Sequence, residues 1–407
     1  MADNETFDFV ISGGGFVGRV LALALADADA GRIAIVDRRP EGAPEPGDQR
    51  SSALAAAVIR MLDTLDLWPF IEADAQPISA MEVTDSALAD PIRPVFLTFD
   101  TTLPDGEPFA HMVPNRAFSS ALSAAIEDQD ITVFQGDSIA AIDFADPAAL
   151  TLESSKRLSA RLVIAADGAR STVRQLAGIK TVGWDYDQMG LVTELAHETP
   201  HDGRAEEHFL PTGPFAILPL KGNRSSLVWT ERTAAARRLL ALSREDLQEE
   251  LLRRVPPHYG ALSIEGPVEG YPLKLKLARD YIAPRLALAG DAAHVVHPLA
   301  GQGLNLGLRD VAALAEVLVD AVRLGLDPGS MATLQDYQRW RRFDVVQMAV
   351  VTDGLNRLFG VDLAPVRMIR DFGMGVVDRL PGLKKALIGE AAGTGGAVPR
   401  LLRGEVI

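Results

Sequence analysis

Apolar positions along the chain fall into alternating strand-like and helix-like blocks. Phe7 to Ser12 is an apolar run too short for a buried helix and reads as a strand. A glycine-rich turn, Gly13-Gly-Gly-Phe-Val-Gly18, follows it. The spacing then predicts a helix from Arg19 to about Ala28 and a second strand from Arg32 to Val36, ending at Asp37. That order is a βαβ unit. Leu54, Val58, Met61, Leu62 and Leu65 recur at helical spacing and predict an amphipathic helix within 48–67. Residues 77–108 carry short strand-like runs and are expected outside the nucleotide-binding core. A helix is expected over Asn115 to Glu127 with Asn115 as its cap. Short strands follow over Ile131 to Leu162, and an apolar strand, Leu162 to Ala166, returns to the sheet and ends at Asp167-Gly168.

From Gly183 to Leu273 the pattern changes to alternation, with strands expected in Phe209 to Leu220 and Ser225 to Thr230 and a helix over Thr233 to Arg254. Leu286 to Ala289 reads as another buried strand and Leu306 to Val322 as a helix. The chain is expected to be helical again from about residue 330 through Phe359 and to break at Gly360, Pro365, Gly373 and Pro381, with a hinge at Gly393-Thr-Gly-Gly396. The reading is an α/β protein. Residues 1–76, 100–182 and 274–330 form a Rossmann-like domain, 77–99 and 183–273 an inserted antiparallel-sheet substrate domain, and 331–407 a C-terminal helical region.

Composition narrows the function. A 407-residue chain with a 47 % apolar fraction can bury a large core. Its formal charge of −15 argues against nucleic-acid binding, which needs a basic face. The absence of cysteine excludes a disulfide framework, a redox dithiol and a thiolate metal site. The acidic start, Met1 to Glu5, is unlike a signal or transit peptide, and no window offers the roughly 20 apolar residues of a spanning helix. A soluble cytoplasmic chain is expected. One segment runs against the overall charge: 367–403 has seven basic residues (Arg367, Arg370, Arg379, Lys384, Lys385, Arg400, Arg403) against three acidic ones, a local +4. It is a candidate contact for the inner face of a membrane or for an acidic partner protein.

The chemistry lies in three turns at three strand ends. Gly13-x-Gly15-x-x-Gly18 follows a strand and opens a helix, so its backbone can approach a pyrophosphate, with Phe16 and Val17 inside the turn. Asp37, followed by Arg38, stands where a carboxylate accepts from ribose hydroxyls, which suits FAD or NAD better than NADP. Asp167-Gly168 leads into Ser171, a helix cap. Gly290-Asp291 ends a strand, where Asp291 can accept from polyol hydroxyls. Pro298 and then Gly301, Gln302, Gly303, Leu304 and Asn305 begin a helix whose first amides suit an electron-rich ring. A remote fingerprint and this loop hold two ends of one large cofactor, which points to a flavin. No metal is expected: His294 and His297 lack a carboxylate partner in the sequence, and Pro298 prevents a regular helix. Trp184 and Trp229 are expected in the core, and His208 and Tyr186 are acid–base candidates that the sequence does not rank.

These motifs carry a resemblance. The chain resembles the class A flavoprotein aromatic hydroxylases, with the fold of para-hydroxybenzoate hydroxylase, along nearly its full length. Gly13 to Gly18, Asp167-Gly168-x-x-Ser171-x-x-Arg174 and Gly290-Asp291 with Pro298, Gly301 and Gly303 are general to the class. The blocks Phe209 to Leu220, Ser226-Leu-Val-Trp229 and His297 to Asp310 are similar to the ubiquinone-biosynthesis hydroxylases of polyprenylated phenols. The resemblance implies FAD as cofactor, NADH or NADPH as transient reductant, and O₂ and a polyprenyl phenol as substrates. It implies ring hydroxylation through a flavin C4a-hydroperoxide. It places Arg50 and Arg116 on the flavin and Pro298 beside its reacting face, and it names no catalytic side chain. A ubiquinone-biosynthesis protein complex is a possible partner. The alternatives are a same-fold hydroxylase of a small soluble aromatic and a non-catalytic flavoprotein scaffold. A halogenase is disfavoured because no Trp-x-Trp pair occurs.

Overall fold

The structure is a computed structural model, and it describes residues 4–40, 43, 50–85, 95–100, 103, 106–360, 382 and 388–407. The chain opens with β1 (Asn4–Ser12), α1 (Phe16–Asp27) and β2 (Ile33–Asp37). Phe9, Val10 and Ile11 are fully buried, as a strand covered on both faces requires. Next come β3 (Ser51–Ala55), α2 (Ala56–Thr64), β4 (Gln76–Pro77), β5 (Ala80–Asp85), β6 (Val95–Asp100), β7 (Ala110–Pro114), α3 (Asn115–Glu127), β8 (Ile131–Gln135), β9 (Ile139–Asp143), β10 (Ala148–Leu152), β11 (Arg157–Ala165) and α4 (Thr172–Leu176). The long strands β12 (Thr181–His197), β13 (Arg204–Leu210), β14 (Gly213–Leu220), β15 (Arg224–Arg232) and β16 (Leu262–Ala278) follow, with α5 (Thr233–Leu240) and α6 (Arg244–Leu252) before the last. The chain then forms β17 (Ile282–Ala283), β18 (Leu286–Leu288), β19 (His294–Val295), α7 (Gln302–Arg323) and α8 (Met331–Phe359).

The strands assemble into three sheets. The first runs β17-β18-β11-β1-β2-β8, with β10 and β9 attached through β11. Its centre is parallel, β18-β11-β1-β2-β8, so the ends of β1, β11 and β18 lie at one edge of the layer. The second sheet runs β19-β16-β12-β15-β14-β13-β5-β6 and is antiparallel except for the pairing of β5 with β13. That pairing joins residues 80–85 to residues 204–209, a separation of 124 positions (204 − 80). The third sheet is small, β3-β7-β4.

Several expectations change. The segment read as one helix within 48–67 begins as strand β3; residues 51–55 pair with β7, and the helix covers only 56–64. Asn115 does not cap α3; it is the first helical residue, and its Oδ1 accepts from the Ser52 hydroxyl at 2.7 Å. The helix over 233–254 is two helices, because Ser243 caps a new start by accepting from the Asp246 amide. Ser171 caps α4 as expected, accepting from the Arg174 amide at 3.0 Å. Trp229 is buried in the core, whereas Trp184 is 41 % exposed with the Arg357 guanidinium over its ring. Gly393 and Gly396 both adopt positive φ, and Gly393 and Thr394 close hydrogen-bonded turns onto Glu390 and Gly389. Of the basic tail, residues 367–381 and 383–387 lie outside the described residues. Arg400 and Arg403 are ion-paired with Glu316, Asp320 and Glu405. Among the described residues no helix is long and apolar enough to cross a membrane.

Candidate functional site

The edge where β1 and β11 end is shaped by close backbone approach. Gly13 has φ 110°, and a Cβ there would meet the Ala166 carbonyl oxygen at 2.4 Å. A Cβ on Gly18 would lie 2.0 Å from the Gly13 carbonyl oxygen, so α1 starts directly on the turn. Gly15 faces open space, with nothing within 4 Å of an added Cβ. That space is a cavity of about 800 Å³. Gly13, Gly15 and Phe16 line it from the turn, Asp37 and Arg38 from the end of β2, and Asp167 and Gly168 from the end of β11; Arg50 and Arg116 also line it.

The electrostatics of the cavity are mixed in a useful way. Arg19, Arg38, Arg39, Arg50 and Arg116 gather positive charge in a chain of net −15, which suits a diphosphate. Arg19 is buried and held by Ser119 and Ser123, which fixes α1 against α3. Arg39 clips the cavity wall: its Nε donates to Asp37 at 2.9 Å and its terminal amine to the Gly14 carbonyl at 2.8 Å. Asp37 keeps acceptor sites for hydroxyls beyond that pair. Asp167 caps α4 through Oδ2, which accepts from the Thr172 and Val173 amides, while its buried Oδ1 has no partner among the described residues. An orphaned acceptor, an open glycine and clustered guanidinium groups are what a large molecule with a diphosphate and a polyol would satisfy, so the residues present fit FAD. Arg19, Arg39 and Asp137 were not expected from the sequence. All three line the cavity, but the motifs beside them do not specify these positions.

Val17, Gly18, Asp291, Pro298 and residues 301–305 lie outside that cavity's lining. Val17 lies 3.0 Å from the position of a Cβ on Gly290, so the Gly290-Asp291 turn packs on α1. The turn is anchored by Asp310 of α7, which is fully buried. Asp310 accepts from the Gly290 amide at 2.9 Å, from His294 Nε2 at 2.6 Å and from Arg341 Nε of α8 at 2.8 Å. Burial works to raise this carboxyl, but His294 and Arg341 outweigh it and hold it below the usual range. His294 is therefore a tether for the loop. Arg174 adds a second tether by donating to the Ala292 carbonyl at 2.6 Å. Asp291 reaches solvent in a crowded recess. Burial raises its carboxyl, and the charges of His294 and Arg50 oppose the rise.

Gly301 sits before α7 in a left-handed conformation. The side chain of Asn305 is consumed structurally: it accepts from the Ala55 amide at 2.9 Å and donates to the Ala53 carbonyl at 2.8 Å, stitching β3 to α7. As the fourth residue of the helix, Asn305 also has an amide that can bond one turn back. The helix-end donors are therefore those of Gln302, Gly303 and Leu304. Just before Pro298, His297 is buried, and neither ring nitrogen has a partner among the described residues. Burial pushes its imidazolium down to about 4, against the pull of Asp353. Tyr186 meets His297 edge-on at 5.1 Å. His208 is bonded to Thr84 and Glu206, which makes it part of the sheet's structure. Among the described residues no group of three or more His, Asp or Glu side chains could hold a metal.

A family profile described as FAD binding domain matches residues 6–351. The chain belongs to this FAD-binding family. Its relatives cover almost all of it. A ubiquinone hydroxylase, UbiL, of Rhodospirillum rubrum is 44 % identical over 98 % of this chain and 94 % of its own length. The 3-demethoxyubiquinol 3-hydroxylase of Escherichia coli is 35 % identical over 96 % of this chain and 99 % of its own. Among solved structures, p-nitrophenol 4-monooxygenase PnpA from Pseudomonas putida superposes with a TM-score of 0.80 at 21 % identity, over 97 % of this chain and 100 % of that one, and so shares the fold. FAD is the cofactor of this FAD-binding protein, and the expected α/β architecture with an inserted, largely antiparallel sheet is the one found.

Proposed function

We propose that the protein is an FAD-dependent monooxygenase that hydroxylates the aromatic ring of a polyprenylated phenol in ubiquinone biosynthesis. The observation that carries the reading is the full-length, 44 % identical relationship to a ubiquinone hydroxylase. Bound FAD, reduced by NADH or NADPH, supplies the activation of dioxygen. The protein supplies position, charge and dryness. In this reading Gly13, Gly15, Phe16, Val17 and Gly18 admit and back the diphosphate, with Arg50 and Arg116 beside it. Asp37 and Arg38 receive the adenosine end, while Asp167, Gly168 and Asp291 receive the polyol and ring edge. Gln302, Gly303 and Leu304 direct amides at the ring, and Pro298 with Gly301 and Asn305 sets the loop that faces the substrate. The second sheet, with β5 and β6, forms the substrate side, and helix α8, C-terminal to it in the chain, forms a cover.

The aliphatic tail of such a substrate needs an apolar approach. Helix α8 offers one, exposing Phe343, Val346, Val350, Val351 and Leu358. On this reading the protein visits a membrane surface peripherally. The test is mass spectrometry of quinone intermediates in a strain lacking the protein. Accumulation of a precursor lacking one ring hydroxyl is expected, and a wild-type quinone profile would overturn the assignment.

A further inference from the structure

Two adjacent glutamates on β13 are both buried and have opposite surroundings. Glu206 is 1 % exposed and fully engaged: it accepts from Arg204, His208, His258 and Tyr259. Glu207 is 4 % exposed, and its side chain makes no hydrogen bond or ion pair among the described residues. A buried carboxyl without a partner is costly, and nothing in the packing of the sheet requires one here.

Strand alternation puts Glu207 on the other face from Glu206, together with Ala205 and Phe209. Its cross-strand neighbours are Val83 on β5 and Ala216 on β14, both apolar. Ala205 packs with Met112 and Ala53 of the small sheet, and Phe209 packs with Leu299 and Phe359. Glu207 therefore lies between two strand neighbours that belong to different apolar clusters, one shared with β3 and β7 and one with Leu299, which follows Pro298. Burial is the cause of its raised proton affinity, which leaves the carboxyl titrating at about 7, with no cation beside it among the described residues.

We propose that Glu207 is the specificity-determining contact of the substrate site: it hydrogen-bonds the ring hydroxyl of a neutral phenol and excludes aromatic acids. The inference rests on the hydroxylase reading above and names its substrate class. A phenolic O–H donates to the unpartnered carboxyl and so relieves its isolation. Above about pH 7, where Glu207 is ionised, a ring carboxylate would set a second negative charge against it, and no guanidinium or ammonium group among the described residues offsets the pair. The apolar residues around Glu207 suit the ring itself. The substrate is thus an uncarboxylated phenol.

The test compares wild-type protein, E207Q and E207M, all loaded with FAD, by calorimetric binding of a short-chain prenylated phenol and of the matching prenylated hydroxybenzoate. Wild type is expected to prefer the phenol. E207Q, which keeps a hydrogen-bonding group and removes the negative charge, is expected to narrow that preference by roughly tenfold or more while holding the phenol nearly as well. E207M is expected to lose affinity for the phenol by a similar factor. An unchanged preference in both variants overturns the proposal while leaving the hydroxylase reading intact. Failure of wild type to bind either compound overturns the hydroxylase reading and this inference with it.

Discussion

Replacing Glu207 by glutamine removes a titrating group from the interior at almost no change in shape. The carboxyl ordinarily titrates at 4.5 and is raised to about 7 in the folded chain by burial alone. Because the folded value is the higher one, its contribution is most favourable below about pH 4.5, and stability is lost as pH rises through about 7, where the folded protein must hold a buried charge. Each tenfold difference in proton affinity corresponds to about 1.4 kcal/mol, so wild type should lose roughly 2–3 kcal/mol relative to E207Q between about pH 5 and about pH 8. Comparing the change between two pH values cancels any pH-independent cost of the buried amide. Urea denaturation of both proteins at the two pH values measures it. Equal stability differences at both pH values, or a wild type that gains on the variant at the higher pH, would refute the reasoning.

Other perturbations test the framework around the cofactor. Asp310→Asn should destabilise the protein by about 3–5 kcal/mol in thermal or denaturant melts, because it leaves Arg341 buried with a weakened partner; it should also lower the flavin content of purified protein. Gly13→Ala should yield flavin-free protein by absorbance spectroscopy, since the added methyl group would lie 2.4 Å from a backbone oxygen at a positive φ. Glu206→Ala strips the acceptor from four donors and should cost about 3–5 kcal/mol near neutral pH. Glu206 is held down to about 2. Its contribution is therefore present above about pH 4.5 and lost as pH falls through about 2, so the wild-type advantage over Glu206→Ala should shrink in acid.

The turns at the strand ends were legible in the sequence because their devices are local. Glycines at Gly13 and Gly18, carboxylates at strand ends and a capping serine at Ser171 act within a few residues of themselves. The elements misread were decided by distant partners. Strand β3 exists because it pairs with β7, some sixty residues on, and a helical spacing of leucines hid that. The role of Asp310 depends on Gly290, His294 and Arg341 meeting in space, so the sequence showed a motif residue without its task. The sequence grouped Asn305 with the loop's backbone donors and gave no sign that its side chain closes the gap between β3 and α7. Glu207 was invisible in the polar run Arg204-Ala-Glu-Glu-His208: only the register of β13 against β5 and β14 separates it from its fully paired neighbour, Glu206.

The central claim is that this FAD-binding protein inserts one atom of dioxygen into the ring of a prenylated phenol. Its most direct test is to supply the flavin-loaded protein with NADH or NADPH, a prenylated phenol and heavy-isotope dioxygen, and to weigh the product. A hydroxylated phenol carrying one labelled oxygen on the ring is expected. Reductant consumption with only hydrogen peroxide and unchanged phenol at the end, under conditions where the phenol binds, would contradict it.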